Sequence, residues 1–493
     1  MTPRPWRSCG EQSSAAAART NRVRISNMVD TLLPGRTLDP GPQRGRHTSS
    51  AACLIVAFDA AQPLVAPSRH WLVDVDEVAL GRSSNKDRAW ARATEDARAV
   101  LRLRLPDALV SAKHTVLRRE PTGWIIEDAG SRNGTLVNGR TINVAKLASG
   151  DVITLGGTFL VYREGPLDAT TAPLDATADD PAVASLPAGV QTMSPVLEAM
   201  FDKVVKIARG KSSVVILGDT GTGKEQLARA IHSLSGRPGA LVAVNCAAVP
   251  ATLIESELFG HKVGAFSGAT SDREGLVTAS HNGTLFLDEI GELPMPAQAA
   301  LLRVLQDEQV RPLGATASRA VDLRVVAATN VDLPELVRDK QFRADLWARL
   351  AGFIVELPGL HDRREDLGLM IRALLPKYTR KPVVLTPAAA ARVFAYGWPL
   401  NIRELEKALE SATTLADHTI DVPELPEAVT ETAPGPLSDD DQLRQRLTRL
   451  LREHAGNLAD VGRAMGKARQ QIQRWCKRLG IDPQQFRAQS PPK

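Results

Sequence analysis

The consecutive residues Gly218, Asp219, Thr220, Gly221, Thr222, Gly223, Lys224 and Glu225 have the types and spacing to hold a phosphate chain. Glycines let successive backbone N–H groups turn inward, a following helix adds the positive end of its dipole, and Lys224 can set a point charge on the outer phosphates. The apolar run 214–217 reads as a strand and 226–232 carries apolar positions at helical spacing, which is the context such a loop requires. A nucleoside triphosphate is the expected ligand. Glu225 stands where Ser or Thr usually ligates magnesium, so another carboxylate or water must complete the metal shell. Asp288 and Glu289, in the otherwise apolar stretch 284–290, divide two jobs. The first can hold Mg, directly or through water, and the second can orient or deprotonate an attacking water.

The chain that must position these groups has 493 residues, room for roughly three or four domains. With 43% hydrophobic and 24% charged residues it has the composition of a globular protein, and no apolar run nears the ~18 residues of a membrane span. Cys9, Cys53, Cys246 and Cys476 are far apart and lack metal-ligand spacing, which predicts a reducing, cytoplasmic setting without a disulfide frame. Residues 1–50, rich in Arg, Ser, Ala, Gly and Pro, predict a disordered tail. Its Arg-rich, acid-poor start fits either a transit-peptide-like segment or a misassigned start, with Met28 as the later alternative.

Short strands are predicted at 53–58, 70–75, 100–105, 115–119, 123–127, 135–137 and 159–162, separated by turn residues at the spacing of a β-sandwich. On the predicted loops lie Gly81-Arg82, Ser111-Ala-Lys-His114 and the Gly/Asn-rich stretch 128–139. Here residues 51–164 resemble a forkhead-associated (FHA) domain, whose loops grip phosphothreonine. The resemblance implies that Arg82 binds the phosphate with Ser111, Arg132 and Asn133, while His114 and Asn138 brace the loops. Charge-assisted donors converging from several loops suit a doubly charged phosphate. Ala112 stands where an Arg usually follows the serine, and 83–108 is longer than the usual intervening segment. Residues 165–189, rich in Pro, Ala, Asp and Thr, predict a linker that tethers more than it packs.

From 190 to 361 helix and strand patterns alternate as in a doubly wound α/β layer, and 362–430 reads as a small helical lid. The motifs Glu255-Ser-Glu-Leu-Phe-Gly-His261 and Gly264, Ala265, Phe266, Ser267, Gly268, Ala269 resemble those of the bacterial enhancer-binding proteins, the AAA+ activators of sigma-54 RNA polymerase, over about 191–425. The resemblance implies that the second motif is a pore loop pushing on sigma-54. Ser267 replaces its usual threonine, keeping the hydroxyl and dropping a methyl worth on the order of 0.8 kcal/mol if buried. Lys262 and Val263 replace an acid-then-base pair, and Leu400 replaces a lid glycine. By the same resemblance Asn245 is a switch that holds Glu289 until the pore loop engages, Asn330 senses the gamma-phosphate, and Arg403 contacts nucleotide in cis. Arg343 and Arg349 would be arginine fingers reaching a neighbouring subunit, so a homo-oligomer, a hexamer by the family's pattern, is implied.

After a linker at 431–441, residues 442–486 read as a helix over 442–454, a second helix, a turn at Gly466-Lys467 and a basic helix from Ala468. Short helix, glycine turn and basic helix describe a helix-turn-helix, which resembles the Fis-type DNA-binding domain. Arg469, Gln470, Gln471 and Arg474 can read base edges, whereas Lys467 and Lys477 suit phosphates. The expected fold class is multidomain: FHA β-sandwich, α/β AAA+ P-loop ATPase with helical lid, and all-α helix-turn-helix. The expected function is an ATP-dependent activator that binds enhancer-like upstream DNA and remodels sigma-54 holoenzyme under control of a phosphothreonine protein or Ser/Thr kinase. The alternative is a DNA-binding regulator that keeps the AAA+ fold for assembly only.

Overall fold

The computed structural model describes residues 49–85, 87–167, 172–181, 183, 190–431, 447, 450–451, 457–465 and 469–479. The tail expected over 1–50 lies outside these residues apart from Ser49 and Ser50, which open a strand.

Two sheets form the sandwich. One runs Asp175–Thr177, Ser68–Trp71, Ser49–Asp59, Thr158–Leu167, Val152–Leu155, Thr135–Val137, Arg140–Ile142; the other runs Val144–Lys146, Gly123–Asp128, Thr115–Glu120, Glu77–Arg82, Arg98–Leu105, Ala89–Glu95. Period-two alternation builds the inner core: Leu101, Leu103 and Leu105 point inward against Leu80, Leu117 and Ile126, while Arg102 between them stays exposed. Gly81 and Arg82, expected on a loop, are the last residues of a strand. The long segment 83–108 is filled by a hairpin, Ala89–Glu95 with Arg98–Leu105, turning on Asp96 and Ala97 at φ 47° and 62°. Positive φ at both turn residues matches the twist of paired strands.

The described residues of the stretch 165–189, expected to be a tether, pack instead. The strand Thr158–Leu167 runs into it, Asp175–Thr177 pairs with Ser68–Trp71, and Ala176, Ala178 and Val183 are buried. Polar groups fix that added strand: buried His70 bonds Asp175 at 2.8 Å and Ser68 at 3.0 Å, and Arg92 grips both Asp175 oxygens at 2.6 and 3.0 Å. Against the burial that would raise it, these hydrogen bonds hold the Asp175 carboxyl down at about 2.

The motor holds a five-stranded parallel sheet in the order Leu241–Asn245, Thr284–Asp288, Arg324–Thr329, Val214–Leu217, Phe353–Glu356. Its strands read as near-continuous apolar runs because helices cover both faces. Beyond it the lid is built from the helices Leu367–Tyr378, Pro387–Ala395, Asn401–Leu415 and Glu427–Glu431.

Sandwich and lid share one core. The outer face of the first sheet (Cys53, Ile55, Ala57, Phe159, Val161) is buried against lid residues such as Leu367, Ile371 and Phe394. Phe159 stacks on Phe394 at 4.4 Å between centroids, and Phe58 lies 5.7 Å from the same ring. At Gly368 an added Cβ would stand 1.8 Å from the Ala57 carbonyl oxygen, so only glycine permits this approach. Arg163 of the sandwich donates to the fully buried Glu365 carboxylate at 2.7 Å, and Arg372 of the lid pairs with Asp179 at 2.7 Å. Buried Asp366 accepts from Thr192 Oγ1 at 2.8 Å and from the Met193 amide at 2.7 Å, tying the lid to the entry of the motor.

In the C-terminal segment the helices Leu458–Met465 and Arg469–Leu479 pack through Val461, Ile472 and Cys476, with Leu447, Leu450 and Leu451 also buried. Apart from those three leucines, the helix expected over 442–454 lies outside the described residues, as does the turn at Gly466-Lys467. Among the described residues no helix is long and apolar enough to cross a membrane.

Candidate functional site

The glycine loop leaves the strand Val214–Leu217 and enters the helix Lys224–Ser235. Gly221 has φ 79°, and a Cβ there would meet the Leu400 carbonyl at 2.2 Å, so the turn requires glycine and lies directly under the lid. Three lid groups hold loop carbonyls: Asn401 Nδ2 on Thr220 O at 2.9 Å, the Ile402 amide on Gly221 O at 3.0 Å, and buried Arg363 on Thr222 O at 2.7 Å. None of the three was assigned a role from the sequence. Asn401 stood in a motif read for its arginine, and Arg363 carried no motif signal.

Buried Lys224 donates to Gly218 O at 2.8 Å and Asp219 O at 3.3 Å, and its ammonium lies 3.7 Å from Glu289 Oε1. Glu225 faces outward to Arg229 at 2.6 Å. Asp219 and Thr222 close the loop, the Thr222 hydroxyl donating to Asp219 O at 2.8 Å. Gly223 caps the helix in the left-handed region. Arg403 is exposed at the lid margin, its Cβ 3.1 Å from where a Gly221 side chain would begin.

Asp288 ends its strand and accepts from the Glu289 amide at 3.1 Å. Glu289 sits at φ 51°, ψ 51°, a strained conformation for a non-glycine residue that aims its carboxylate back at the loop, where Oε2 accepts from the Asn330 amide at 3.4 Å. Burial, and then the neighbouring Glu289 charge, raise the Asp288 carboxyl above the ordinary range, a state that a bound cation would relieve. The residues present therefore fit a magnesium nucleotide. Asn245 lies in register beside Asp288, but its side-chain oxygen accepts from the Ala247 and Ala248 amides at 3.0 and 3.2 Å. Among the described residues the expected Asn245–Glu289 hydrogen bond is not formed: the Asn245 amide is turned so that its oxygen serves its own Ala247 and Ala248 amides, and Glu289 faces Lys224.

The Gly264–Ala269 loop closes on itself through Gly264 N to Ala269 O and Ala269 N to Phe266 O, both at 3.0 Å. Phe266 and Ser267 are exposed at the tip, with the Phe266 ring edge-on to His261 at 5.0 Å. Ala265 is half-buried and Gly268 exposed. Lys262 ion-pairs with Asp272, which also accepts from the Val263 amide at 2.9 Å, so the base and acid of the loop stem meet across the loop. Arg343 stands at the N-terminal boundary of the helix Ala344–Leu350 and pairs with Asp345 at 2.7 Å; exposed Arg349 donates to Leu305 O at 3.0 Å.

At one end of the sandwich the Arg82 amide bonds Ser111 O at 2.9 Å and the Arg132 amide bonds Ser111 Oγ at 3.1 Å. Asn133 Nδ2 donates to Leu109 O at 2.6 Å. Buried His114 accepts from the Ser111 amide at 3.0 Å and donates from Nε2 to Gly134 O at 3.1 Å; burial lowers its pKa and keeps the ring neutral for both tasks. Asn138 ties Asp151 and Val152. Arg82, Ser111, Arg132 and Asn133 thus meet around one loop cluster, with both arginines exposed. In the C-terminal helices Arg469 is exposed and Gln471 half-buried. Lys467 and the side chains of Gln470, Arg474 and Lys477 lie outside what is described.

A phosphate cradle at the strand ends of a parallel sheet, beneath a helical lid, defines a P-loop domain of the AAA+ kind. The Sigma-54 interaction domain matches residues 190–356, the FHA domain 78–156 and the AAA+ ATPase lid domain 361–441. The regulatory protein AtoC of Escherichia coli is 38% identical over 60% of this chain and 68% of AtoC. The transcriptional regulatory protein GlrR of the same organism is 36% identical over 66% of this chain and 78% of GlrR. The formate hydrogenlyase transcriptional activator of Salmonella typhimurium is 40% identical over 58% of this chain, and the chain spans only 44% of that protein's length. The chain belongs to the sigma-54-dependent transcriptional activators and carries an FHA domain together with an AAA+ domain of an ATPase family.

Proposed function

We propose that the chain hydrolyses ATP as a ring of identical subunits, most simply a hexamer, and uses the turnover to remodel sigma-54 RNA polymerase holoenzyme from upstream DNA. The observation that carries this reading is the convergence of Lys224, Asp288 and Glu289 on a loop mouth held by the lid. The triphosphate lies along Gly218 to Lys224, with Lys224 exchanging carbonyl partners for phosphate oxygens. Asp288 holds magnesium, which when bound neutralises phosphate charge. Glu289, freed from Lys224, orients and deprotonates the attacking water. Asn330 senses the gamma-phosphate, Arg403 contacts nucleotide in cis, and Asn245 captures Glu289 once it gives up its own turn. Arg343 and Arg349 complete a neighbour's site, where an arginine finger is worth about 10³-fold or more in rate. ATP binding presents Phe266 and Ser267 to sigma-54 and hydrolysis retracts them.

The C-terminal helices carry the DNA contacts through Lys467, Arg469, Gln470, Gln471, Arg474 and Lys477, which sets the protein to work in the cytoplasm. The sandwich receives a phosphothreonine protein, a kinase among the candidates, through Arg82, Ser111, Arg132 and Asn133. The route from sandwich to motor is short in this reading: Glu365, held by Arg163, is two residues from Arg363, which holds the glycine loop. Open-complex formation by sigma-54 holoenzyme with ATP tests the proposal. Transcription that proceeds equally with a non-hydrolysable analogue supports instead a regulator that keeps the AAA+ fold for assembly.

A further inference from the structure

The geometry points to Arg104 as an additional phosphate-binding residue of the sandwich, acting beside Arg82; this rests on the reading of that loop cluster as a phosphothreonine site. Arg104 pairs in register with Gly81, and a Cβ at Gly81 would stand 2.0 Å from Ala112 O and 2.7 Å from the Arg104 guanidinium. Glycine therefore leaves a slot at the strand end in which that guanidinium lies. One of its N–H groups donates to Ala112 O at 2.9 Å, and the side chain is only half-buried. A guanidinium has five donors, so most remain for a ligand.

The charge pattern is selective. Arg102, two residues back on the same strand, is matched by Glu95 at 2.6 Å. Among the described residues no carboxylate pairs with Arg82, Arg104, Lys113 or Arg132, all set around the Ser111–His114 turn. Two carboxylates beside His114 are committed inward: Asp107 accepts from Leu109, Gly157 and Thr158, and Asp128 from Gly130, Ser131 and Thr135. Cations left unmatched around one slot suit a multiply charged anion, and a planar fork grips a phosphate better than an ammonium does.

The test is binding of a degenerate phosphothreonine peptide pool, and its unphosphorylated counterpart, to the full chain at pH 5.5 and pH 7.5. Phosphate gains its second charge near pH 6, so the unaltered protein should bind more tightly at the higher pH. Arg104→Gln is expected to weaken binding about tenfold or more and to flatten that pH rise, with Arg104→Lys intermediate and Arg102→Gln unchanged. A merely structural latch on Ala112 would lower affinity equally at both pH values, and that result overturns the inference. So does an Arg104→Gln variant that binds within twofold of the parent while Arg82→Gln fails, which leaves the phosphothreonine reading standing. If the unaltered protein does not prefer the phosphorylated pool, the reading of the cluster falls and Arg104 falls with it.

Discussion

The motor's glycine loop and the sandwich's loop cluster are both suited to phosphate, yet their charge is arranged in opposite ways. In the motor the single lysine is already compensated, by two loop carbonyls and by Glu289. In the sandwich Arg82 and Arg132 stand exposed, and among the described residues neither has a carboxylate partner. A compensated site must exchange partners before it can work, so its function hinges on one or two groups acting as a unit. An uncompensated site spreads its affinity over several side chains, each lost by degrees. In the proposed function the first arrangement suits a switch and the second a receptor.

The sharpest way to break that contrast is Glu289→Gln. It should retain ATP binding and lose about 10²–10⁴-fold in turnover, as befits a general base; undiminished hydrolysis would remove the catalytic assignment. Next comes the seam that joins the two regions. Phe394→Ala should cost about 3–5 kcal/mol, read as a lowered midpoint in chemical unfolding, because its buried ring packs against both Phe58 and Phe159. An unchanged midpoint would mean that sandwich and lid are not one packed body. Arg82→Gln should weaken phosphothreonine-peptide binding about 10–100-fold while leaving basal ATP turnover alone. Loss of turnover in that variant would blur the two sites into one.

The smallest effect concerns acid stability. The Asp175 carboxyl is depressed to about 2, so the stability it contributes is present above its ordinary value near 4 and is lost as pH falls from there toward 2. Asp175→Asn should therefore unfold at lower denaturant than the parent at pH 6, with the gap closing near pH 2. A gap that stays constant with pH would show that the carboxylate's charge is not what fastens the added strand.

The motor was readable because its parts are contiguous: the glycine loop, the acid pair and the Phe266 loop are each spelled by neighbouring residues. What stayed hidden depends on residues far apart in the chain. Nothing local announces that Phe58 and Phe159 will meet Phe394, or that Arg163 will bury against Glu365. One hint was present in the unbroken apolar run 53–58, since a strand with one wet face would alternate. The strand Asp175–Thr177 hid in linker-like composition because what fastens it is the meeting of Asp175 with His70 and Arg92, both far away in the chain. The Asp96-Ala97 turn hid because it uses positive φ without glycine. Asn245 shows the opposite case: its place at the end of its strand was legible, but its side-chain partner in this structure is set by amides two and three residues on.

If each ATP site is finished by a neighbour's arginine, ATP turnover per protomer must depend on protein concentration, and a dilution series measures that dependence. Specific activity should rise steeply with concentration, and fall when inactive Arg343→Ala, Arg349→Ala protein is mixed in. Constant turnover per protomer down to the fully dissociated chain would contradict it.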